Sequence, residues 1–325
     1  MNVVRNAQSA PSLRNNPSTS NTRPRPIIVS GPTGVGKSSF AAALAVRLGG
    51  EVIGADAFQI YAGLPILTAQ PSPELQALVP HHLIGFLDFR ESFDVARYLR
   101  LAHAAIEDIQ SRNRTPIITG GTGLYLKSLT HGLAHLPAVD PILREKIASL
   151  SLPTAIEKLA SLDAEAPGQI DLRNPVRVRR ALEIVLTTGQ PLAKAREQWN
   201  STSSTTFEFS GLTLLRPREE LHSRIQCNVE SLFECGVVEE VRLAHEAGLT
   251  ASKAIGYREI QALLRGEATL TECREAIIIA TRQYAKRQIT WCRTQLPFPT
   301  LNLSKDLGEK ETLDSAMALL NIPTK

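Results

Sequence analysis

The stretch PIIVSGPTGVGKSSFAAALAVRL (26–48) decides the fold. It joins a short apolar, β-branched run to a glycine-rich turn, and an alanine- and leucine-rich segment follows the turn. Such a run is typical of a buried parallel strand, and the G-x-x-x-x-G-K-S pattern at 31–38 is typical of a phosphate-binding loop between a strand and a helix. The sequence therefore predicts a strand over 26–30 and a helix from Lys37 to about Leu48.

The predicted loop has the residue types that bind a polyphosphate. Glycines let backbone N–H groups point at phosphate oxygens, and the helix N-terminus adds a positive potential. Lys37 supplies a point charge, and the Ser38 hydroxyl can ligate Mg²⁺. The pattern alone suits ATP binding and leaves the identity of the polyphosphate open. The residues expected to contact the phosphate groups are Gly31, Pro32, Thr33, Gly34, Val35, Gly36, Lys37 and Ser38.

Further apolar runs predict the rest of an α/β fold. Strands are expected over 51–55, 115–119, 208–215 and 298–303, with long helices between Ser92 and about Asn113 and from about Leu270 to Arg293. This alternation predicts a parallel sheet of the P-loop NTPase-like type, flanked by helices. The third strand runs into Gly120-Gly121-Thr122 without an acid, which argues against an ordinary ATPase.

Composition divides the chain into a tail, a core and an insertion. Residues 1–25 are rich in Ser, Asn, Pro and Arg and are expected to be a disordered tail. Segment 137–204 shows helical patterns without strands and is expected to be a helical insertion domain. The catalytic core then consists of 26–136 and 205–325.

Charge, cysteines and hydropathy exclude several classes of protein. The net charge of +4 equals the four arginines of the acid-free segment 1–25, so the remainder is neutral and bulk charge does not indicate nucleic-acid binding. No apolar run approaches the ~18 residues of a membrane helix. The four cysteines form no CxxC pair, which favours reduced thiols in the cytoplasm. The arginines of the tail also suit an organellar transit peptide.

An acidic residue follows the second predicted strand. In EVIGADAFQIY (51–61), Asp56 stands at the carboxyl end of the strand, where ligands bind in open α/β sheets. Asp56 should therefore face the cleft of the phosphate loop. From the pattern alone it can be a base, a metal ligand or a helix N-cap.

Two local clusters of cations predict an RNA-binding surface. Arg177, Arg179 and Arg180 lie within one turn of a predicted helix. In the last long helix, Arg282, Lys286 and Arg293 fall within about 40° of each other, with Tyr284 and Trp291 on the opposite side. The alternative is a charged face that is only solvated.

Eight blocks of the sequence follow one another in a recognisable order. They are GPTGVGKS (31–38), ADAFQIY (55–61), TAQP (68–71), PHHL (80–83), PIITGGTGLYLKSL (116–129), NPVRVRRALE (174–183), AIGYRE (254–259) and ATRQYAKRQITWCR (280–293). In order and spacing these blocks resemble the tRNA dimethylallyltransferases, and the resemblance covers about residues 26–300.

The resemblance implies a reaction. Enzymes of this family transfer a dimethylallyl group from dimethylallyl diphosphate to N6 of the adenosine 3′-adjacent to the tRNA anticodon. The loop and a Ser38-bound Mg²⁺ would then hold the departing diphosphate, with the Thr33 hydroxyl near the bridging oxygen and Asp56 as the base that removes the amine proton. The implied partners are the anticodon stem-loop and the prenyl donor, without a membrane, and the implied state is a monomer.

The resemblance also implies which residues contact tRNA. Those in the matching blocks are Asp56, Ala57, Phe58, Gln59, Thr122, Arg177, Arg179, Arg180, Gly256, Tyr257, Arg258, Arg282, Lys286, Arg287 and Arg293, while Arg144 and Lys253 match further family contacts outside the blocks. The helical insertion 137–204 would therefore contact tRNA.

The chain departs from the family pattern close to the expected reaction centre. Ala57 and Phe58 replace the SR of DSRQIY, and PILTAQP (65–71) replaces DIGTAKP, which puts Gln70 where the family has Lys. Gly85 stands where the family usually has an acid, and Asn228 stands at the second arginine of RIxxRV. The change at Asn228 leaves open a catalytically weakened RNA-binding paralogue. A prenyltransferase that acts on free adenine nucleotides and a small-molecule kinase are further alternatives.

Overall fold

Six parallel strands form the central sheet of the computed structural model, which describes residues 23–133, 139–202, 207–304 and 308–323. The described residues contain eight strands in all, which are β1 (Ile27–Ser30), β2 (Glu51–Gly54), β3 (Tyr61–Ala62), β4 (His81–His82), β5 (Leu87–Asp88), β6 (Pro116–Gly120), β7 (Ser210–Leu215) and β8 (Thr300–Asn302). The sheet has the order β4-β2-β6-β1-β7-β8, and β3 pairs with β5 outside it. This arrangement confirms the predicted parallel α/β sheet.

Helices cover the sheet and extend beyond it. The first five are α1 (Lys37–Leu48), α2 (Pro73–Leu78), α3 (Val95–Ser111), α4 (Gly123–His131) and α5 (Pro141–Ala148). Those that follow are α6 (Leu152–Leu162), α7 (Pro175–Thr188), α8 (Leu192–Thr202), α9 (Arg218–Glu234), α10 (Val237–Leu243), α11 (Tyr257–Leu264), α12 (Leu270–Gln295) and α13 (Glu309–Leu319).

The strands at the centre of the sheet are buried on both faces. Every residue of β1, β2 and β6 is buried, which is why these strands read as continuous apolar runs. Ile28 and Ile118 pack into a cluster with α3, α4 and α12, whereas Val29 and Ile117 pack with α1 and α13 on the other face. Successive side chains of a strand point to opposite faces, so the sheet separates two cores.

The helices α5 to α8 have a hydrophobic cluster of their own. Its members all lie between Leu143 and Leu192, and within 139–202 the structure contains helices and no strand. The predicted domain boundaries at 136/137 and 204/205 fall outside the described residues. The division into domains therefore stays a prediction.

The predicted start of the third helix is wrong by two residues. Asp94, and not Ser92, is the N-cap of α3, because its carboxylate accepts a hydrogen bond from Arg97 N at 2.7 Å. The two-residue strands β3, β4 and β5 and the helix α13 were not foreseen by the sequence analysis. Two residues are too few to show a periodicity.

The predicted tail lies largely outside the described residues, which begin at Arg23. Its last residues contact the fold, since Pro24 O accepts a hydrogen bond from Gln110 at 2.7 Å and Arg25 forms an ion pair with Glu208 at 3.3 Å. Within the part of the chain that the structure describes, no helix has the length and apolar character needed to cross a bilayer.

Candidate active site

Three adjacent strand ends build the candidate site. Parallel pairing of β2 with β6 and of β6 with β1 brings the carboxyl ends of all three strands to one edge of the sheet. Asp56 follows β2, the turn of Gly121 and Thr122 follows β6, and the phosphate loop follows β1. The backbone at Gly120 passes very close to the backbone at Ala55, since a Cβ on Gly120 would lie 2.1 Å from Ala55 O. The phosphate loop and the Asp56 turn, which form the two half-sites, are therefore neighbours on either side of β6.

The phosphate loop has the backbone conformation that its glycines allow. Gly34 and Gly36 have φ values of +79° and +103°, which side chains rarely adopt, and α1 begins directly after them. Lys37 Nζ donates to Pro32 O at 2.8 Å and so stays folded over the loop. Burial lowers the pKa of Lys37 to about 8, partly opposed by the negative charge of Asp56. The Asp56 carboxylate thus favours the charged form of the loop lysine.

Two guanidinium groups hold the loop from the side of α9. Arg216 Nε donates to Val35 O and Arg224 Nε donates to Gly34 O, both at 2.9 Å. Both groups also lie close to Gly36. A Cβ added to this glycine would be 4.0 Å from Arg216 Nη2 and 3.6 Å from Arg224 Nη2. The sequence analysis did not find Arg216, whose only signal is its place directly after β7. Asn228 is exposed, one helical turn beyond Arg224.

Asp56 is oriented by the turn that follows it. Its Oδ1 accepts a hydrogen bond from Phe58 N at 3.0 Å, and residues 57–60 form a turn, so Asp56 does not cap an α-helix. Ala57 N donates to Thr122 Oγ1 at 2.9 Å. Thr122 is thus engaged with the Asp56 turn, which joins the ends of β2 and β6.

One face of α12 packs against both half-sites. Tyr284, Gln288 and Cys292 are spaced four residues apart and therefore share a face. The Tyr284 side chain lies within interaction range of Thr122 and Gln288, and the Cys292 thiol lies close to Ser30 and Lys37. Gln288 forms hydrogen bonds to the phosphate loop and to the turn after β6. The sequence analysis placed Gln288 in a family block without a role, because a single glutamine in a helix is no signal of a site.

The other face of α12 carries cations to the surface. Lys286, Arg287 and Arg293 are exposed, whereas Arg282 is half-buried and lies 3.5 Å from Gln226 Oε1. Trp291 packs over Gly123 on its inner side and lines an open groove of about 580 Å³ on its outer side. The groove is lined by Gln283, Lys286, Arg287, Thr290, Trp291, Thr294 and Gln295.

The arginines of α7 do not share one face. Arg177 is exposed, and Arg180 forms an ion pair with Glu183 at 2.9 Å. Arg144 reaches the same carboxylate from α5 at 3.7 Å, so the structure brings Arg144 and Arg180 together. Arg179 instead donates to Leu150 O at 3.2 Å, since it points to the other side of the helix.

The predicted contact segment 253–258 is divided between surface and core. Lys253 and Arg258 are exposed. Gly256 is buried with φ +98°, and a Cβ there would lie 3.0 Å from a Leu67 methyl group. Tyr257 is buried and its hydroxyl donates to Ala244 O at 2.7 Å. Gly256 and Tyr257 thus hold the turn in place, and they leave Lys253 and Arg258 as the side chains available to a partner.

Two of the departures from the family pattern are neighbours. Gln70 Oε1 lies 3.0 Å from where a Cβ of Gly85 would be, and Gln70 Nε2 donates to Tyr61 O at 2.9 Å. The family usually has a cation at the first position and an acid at the second. Because both are replaced here, no single charge is left unpaired at this place. Gln59, predicted to contact tRNA, donates to Ala69 O at 2.8 Å and so supports the same loop.

Residues 59–295 match the model of a family described as IPP transferase. The chain is also 42% identical over 282 residues to a protein named tRNA dimethylallyltransferase from a Caulobacter species, which covers 83% of this chain and 90% of the relative. It is 42% identical over 269 residues to tRNA dimethylallyltransferase 1 from Citrifermentans bemidjiense, with 82% and 88% covered.

Solved structures with related names have the same fold. A full-length tRNA isopentenylpyrophosphate transferase from Bacillus halodurans has a TM-score of 0.67 at 32% identity, over 91% of this chain and 97% of that one. A eukaryotic dimethylallyltransferase, described as acting on tRNA, has a TM-score of 0.77 at 26% identity, over 93% and 81% of the two chains.

The lowered pKa of Lys37 predicts pH-dependent binding of inorganic diphosphate. With a pKa of about 8, the protonated fraction falls about tenfold between about pH 7 and 9, and only the protonated amine attracts the anion. We expect the Kd of diphosphate, measured by calorimetry, to rise about tenfold more over this interval in the wild type than in Lys37→Arg, whose guanidinium stays charged. Equal pH slopes for the two proteins would contradict the prediction.

Proposed function

The chain belongs to the IPP transferase family, and we propose that it is a tRNA dimethylallyltransferase. It transfers a dimethylallyl group from dimethylallyl diphosphate to N6 of the adenosine 3′-adjacent to the anticodon and releases diphosphate. What supports this most directly is that Asp56 and the phosphate loop flank the carboxyl end of β6 and are linked there through Gln288 and the turn of Gly121 and Thr122. A base beside an anion site suits a displacement in which the acceptor amine loses a proton and the prenyl donor loses diphosphate.

The phosphate loop and its neighbouring cations bind the leaving group. As the allylic C–O bond breaks, negative charge grows on the diphosphate, and preorganised N–H groups with Lys37 stabilise it. The Thr33 N–H is already used by Gln288, so Thr33 contributes its hydroxyl. Arg224 adds positive potential beside Gly36, whereas Arg216, which also contacts the loop, is paired with the carboxylate of Glu220.

Asp56 removes the proton of the acceptor amine. The exocyclic amine of adenine is a weak nucleophile because its lone pair is shared with the ring, so a base must take its proton as the C–N bond forms. The Phe58 N–H holds the carboxylate through Oδ1, and Thr122 fixes the turn behind it. The target adenine must leave its stack to reach this carboxylate, at a cost of a few kcal/mol.

Mg²⁺ fits the donor set only together with the substrate. Among the described residues no group of three or more His, Cys, Asp or Glu side chains could hold a metal. Mg²⁺ is commonly bound by one or two protein oxygens plus substrate phosphates. The Ser38 hydroxyl at the start of α1 would supply the protein oxygen, and the bound ion would add positive charge at the leaving group.

The tRNA binds across the exposed cations. Lys286, Arg287 and Arg293 on α12 would contact phosphates, with Arg282 at the edge of this stripe. Lys253, Arg258, Arg177 and the pair Arg144 and Arg180 extend the surface. Cytoplasmic location and a monomeric state remain predictions.

An acceptor assay separates this function from its alternatives. The purified protein is incubated with labelled dimethylallyl diphosphate, Mg²⁺ and either unmodified tRNA or AMP. We expect label in tRNA, because a mononucleotide has no use for so extended a cationic surface. Label only in AMP would favour the free-nucleotide prenyltransferase. Tight binding of tRNA without transfer would favour a weakened paralogue.

Replacing the proposed base tests the mechanism. Asp56→Asn keeps the size of the side chain and the oxygen that accepts from Phe58 N, but it removes the basic group. We expect kcat for transfer to fall by about 10²- to 10⁴-fold, with the Kd for tRNA within about threefold of the wild type. If affinity and kcat fall together, Asp56 binds the nucleotide instead of taking its proton.

Neutralising one exposed cation tests the tRNA surface. Lys286→Gln removes one proposed phosphate contact, so the slope of log K against log salt should become shallower by about one. Lys310→Gln is the matched control, since Lys310 is exposed on α13, away from the proposed surface. Filter binding over a range of KCl concentrations measures both slopes. An unchanged slope in Lys286→Gln would show that this face is only solvated.

A further inference from the structure

Gln288 connects the two halves of the site through one side chain. Thr33 N donates to Gln288 Oε1 at 2.8 Å, and Gln288 Nε2 donates to Gly121 O at 3.0 Å. The amide orientation follows from the partners, because only its oxygen can accept from an N–H and only its nitrogen can donate to a carbonyl. The residues it joins are far apart in sequence, on the loop after β1 and the turn after β6.

The contact is buried and closely fitted. Gln288 is 5% exposed, so water does not replace either hydrogen bond without opening the site. A Cβ on Gly121 would lie 2.0 Å from Gln288 Nε2, which means that this turn accommodates the amide only because residue 121 is glycine. Moving a buried glutamine whose amide oxygen and nitrogen are both hydrogen-bonded would leave buried polar groups without partners, at a cost in free energy. The side chain therefore fixes the separation of the two segments that it joins.

We propose that Gln288 is a positioning residue, which acts as a clamp holding the phosphate loop at a set distance from the turn that supports Asp56. The inference rests on the proposed function, in which one half-site holds the departing diphosphate and the other holds the base. The connection runs from Thr33 through Gln288 to Gly121, whose neighbour Thr122 accepts from Ala57 N beside Asp56. Gln288 itself touches neither reacting group.

The clamp makes a specific kinetic prediction. Gln288→Leu is close in size and removes both hydrogen bonds, while the groups that bind each substrate remain. A misplacement of about 1 Å between reacting groups costs about 10²-fold. We therefore expect kcat to fall about 100-fold, with KM for the prenyl donor and Kd for tRNA within about threefold. Gln288→Glu keeps the acceptor for Thr33 N but sets a carboxylate oxygen against Gly121 O, so Thr33 should stay protected from exchange while kcat still falls.

Gln110→Leu is the matched control. Gln110 is 7% exposed, donates to one backbone carbonyl and lies on α3 away from the loop, so it reports the general cost of burying leucine in place of glutamine. We expect its kcat within about threefold of the wild type. Thermal unfolding of each variant identifies a protein that has not folded. If Gln288→Leu has not folded, the kcat of Gln288→Glu is used to test the clamp instead.

Hydrogen exchange tests the clamp without any activity. The Thr33 amide should exchange about tenfold faster in Gln288→Leu than in the wild type or Gln110→Leu, because it loses its acceptor. Unchanged exchange, or a kcat that stays within threefold while the wild type transfers prenyl groups, would overturn the inference. A wild type inactive on every acceptor would refute the proposed function instead, and exchange at Thr33 would still decide the clamp.

Discussion

The parallel hydrogen bonding of β2, β6 and β1 is the constraint on which the rest of the molecule depends. These bonds align three strands in one direction, so the segments that leave them meet at one edge of the sheet. In strands buried on both faces, a shift of one residue would move every side chain into the other core, where it does not fit. The positions of the loop, the turn at Gly121 and the Asp56 carboxylate are therefore set by the core.

Helix α12 adds a second constraint because it serves both the inside and the surface of the site. Its inner face contacts the phosphate loop and the Gly121 turn, and its outer face presents Lys286 and Arg287 directly beside Gln288. A helix is stiff along its length, so a tRNA bound outside would restrain the same element that positions the loop inside. In the proposed function, binding of tRNA and positioning of the phosphate loop would share this one helix.

The departures from the family pattern leave this framework intact. Gln70 and Gly85 lie against each other, which removes a charge of each sign from one place. The loop that contains residues 66 and 67 is held instead by Glu240, whose carboxylate accepts from both backbone N–H groups at 2.8 and 2.7 Å. Asn228 is exposed, while Arg216 and Arg224 bind loop carbonyls. Arg224 is therefore a cation next to the glycine-rich loop, whereas the charge of Arg216 is balanced by Glu220.

Local signals in the sequence were sufficient for the loop at 31–38, the strands of the sheet that are longer than two residues and the place of Asp56. Glycine spacing, apolar runs and strand ends each depend on neighbours along the chain. The roles of Gln288 and Arg216, the inward turn of Arg179 and the burial of Tyr257 were decided only by tertiary structure. Gln288 meets Thr33 across 255 positions of sequence, and such a contact depends on how α12 packs against the sheet, which no local pattern encodes.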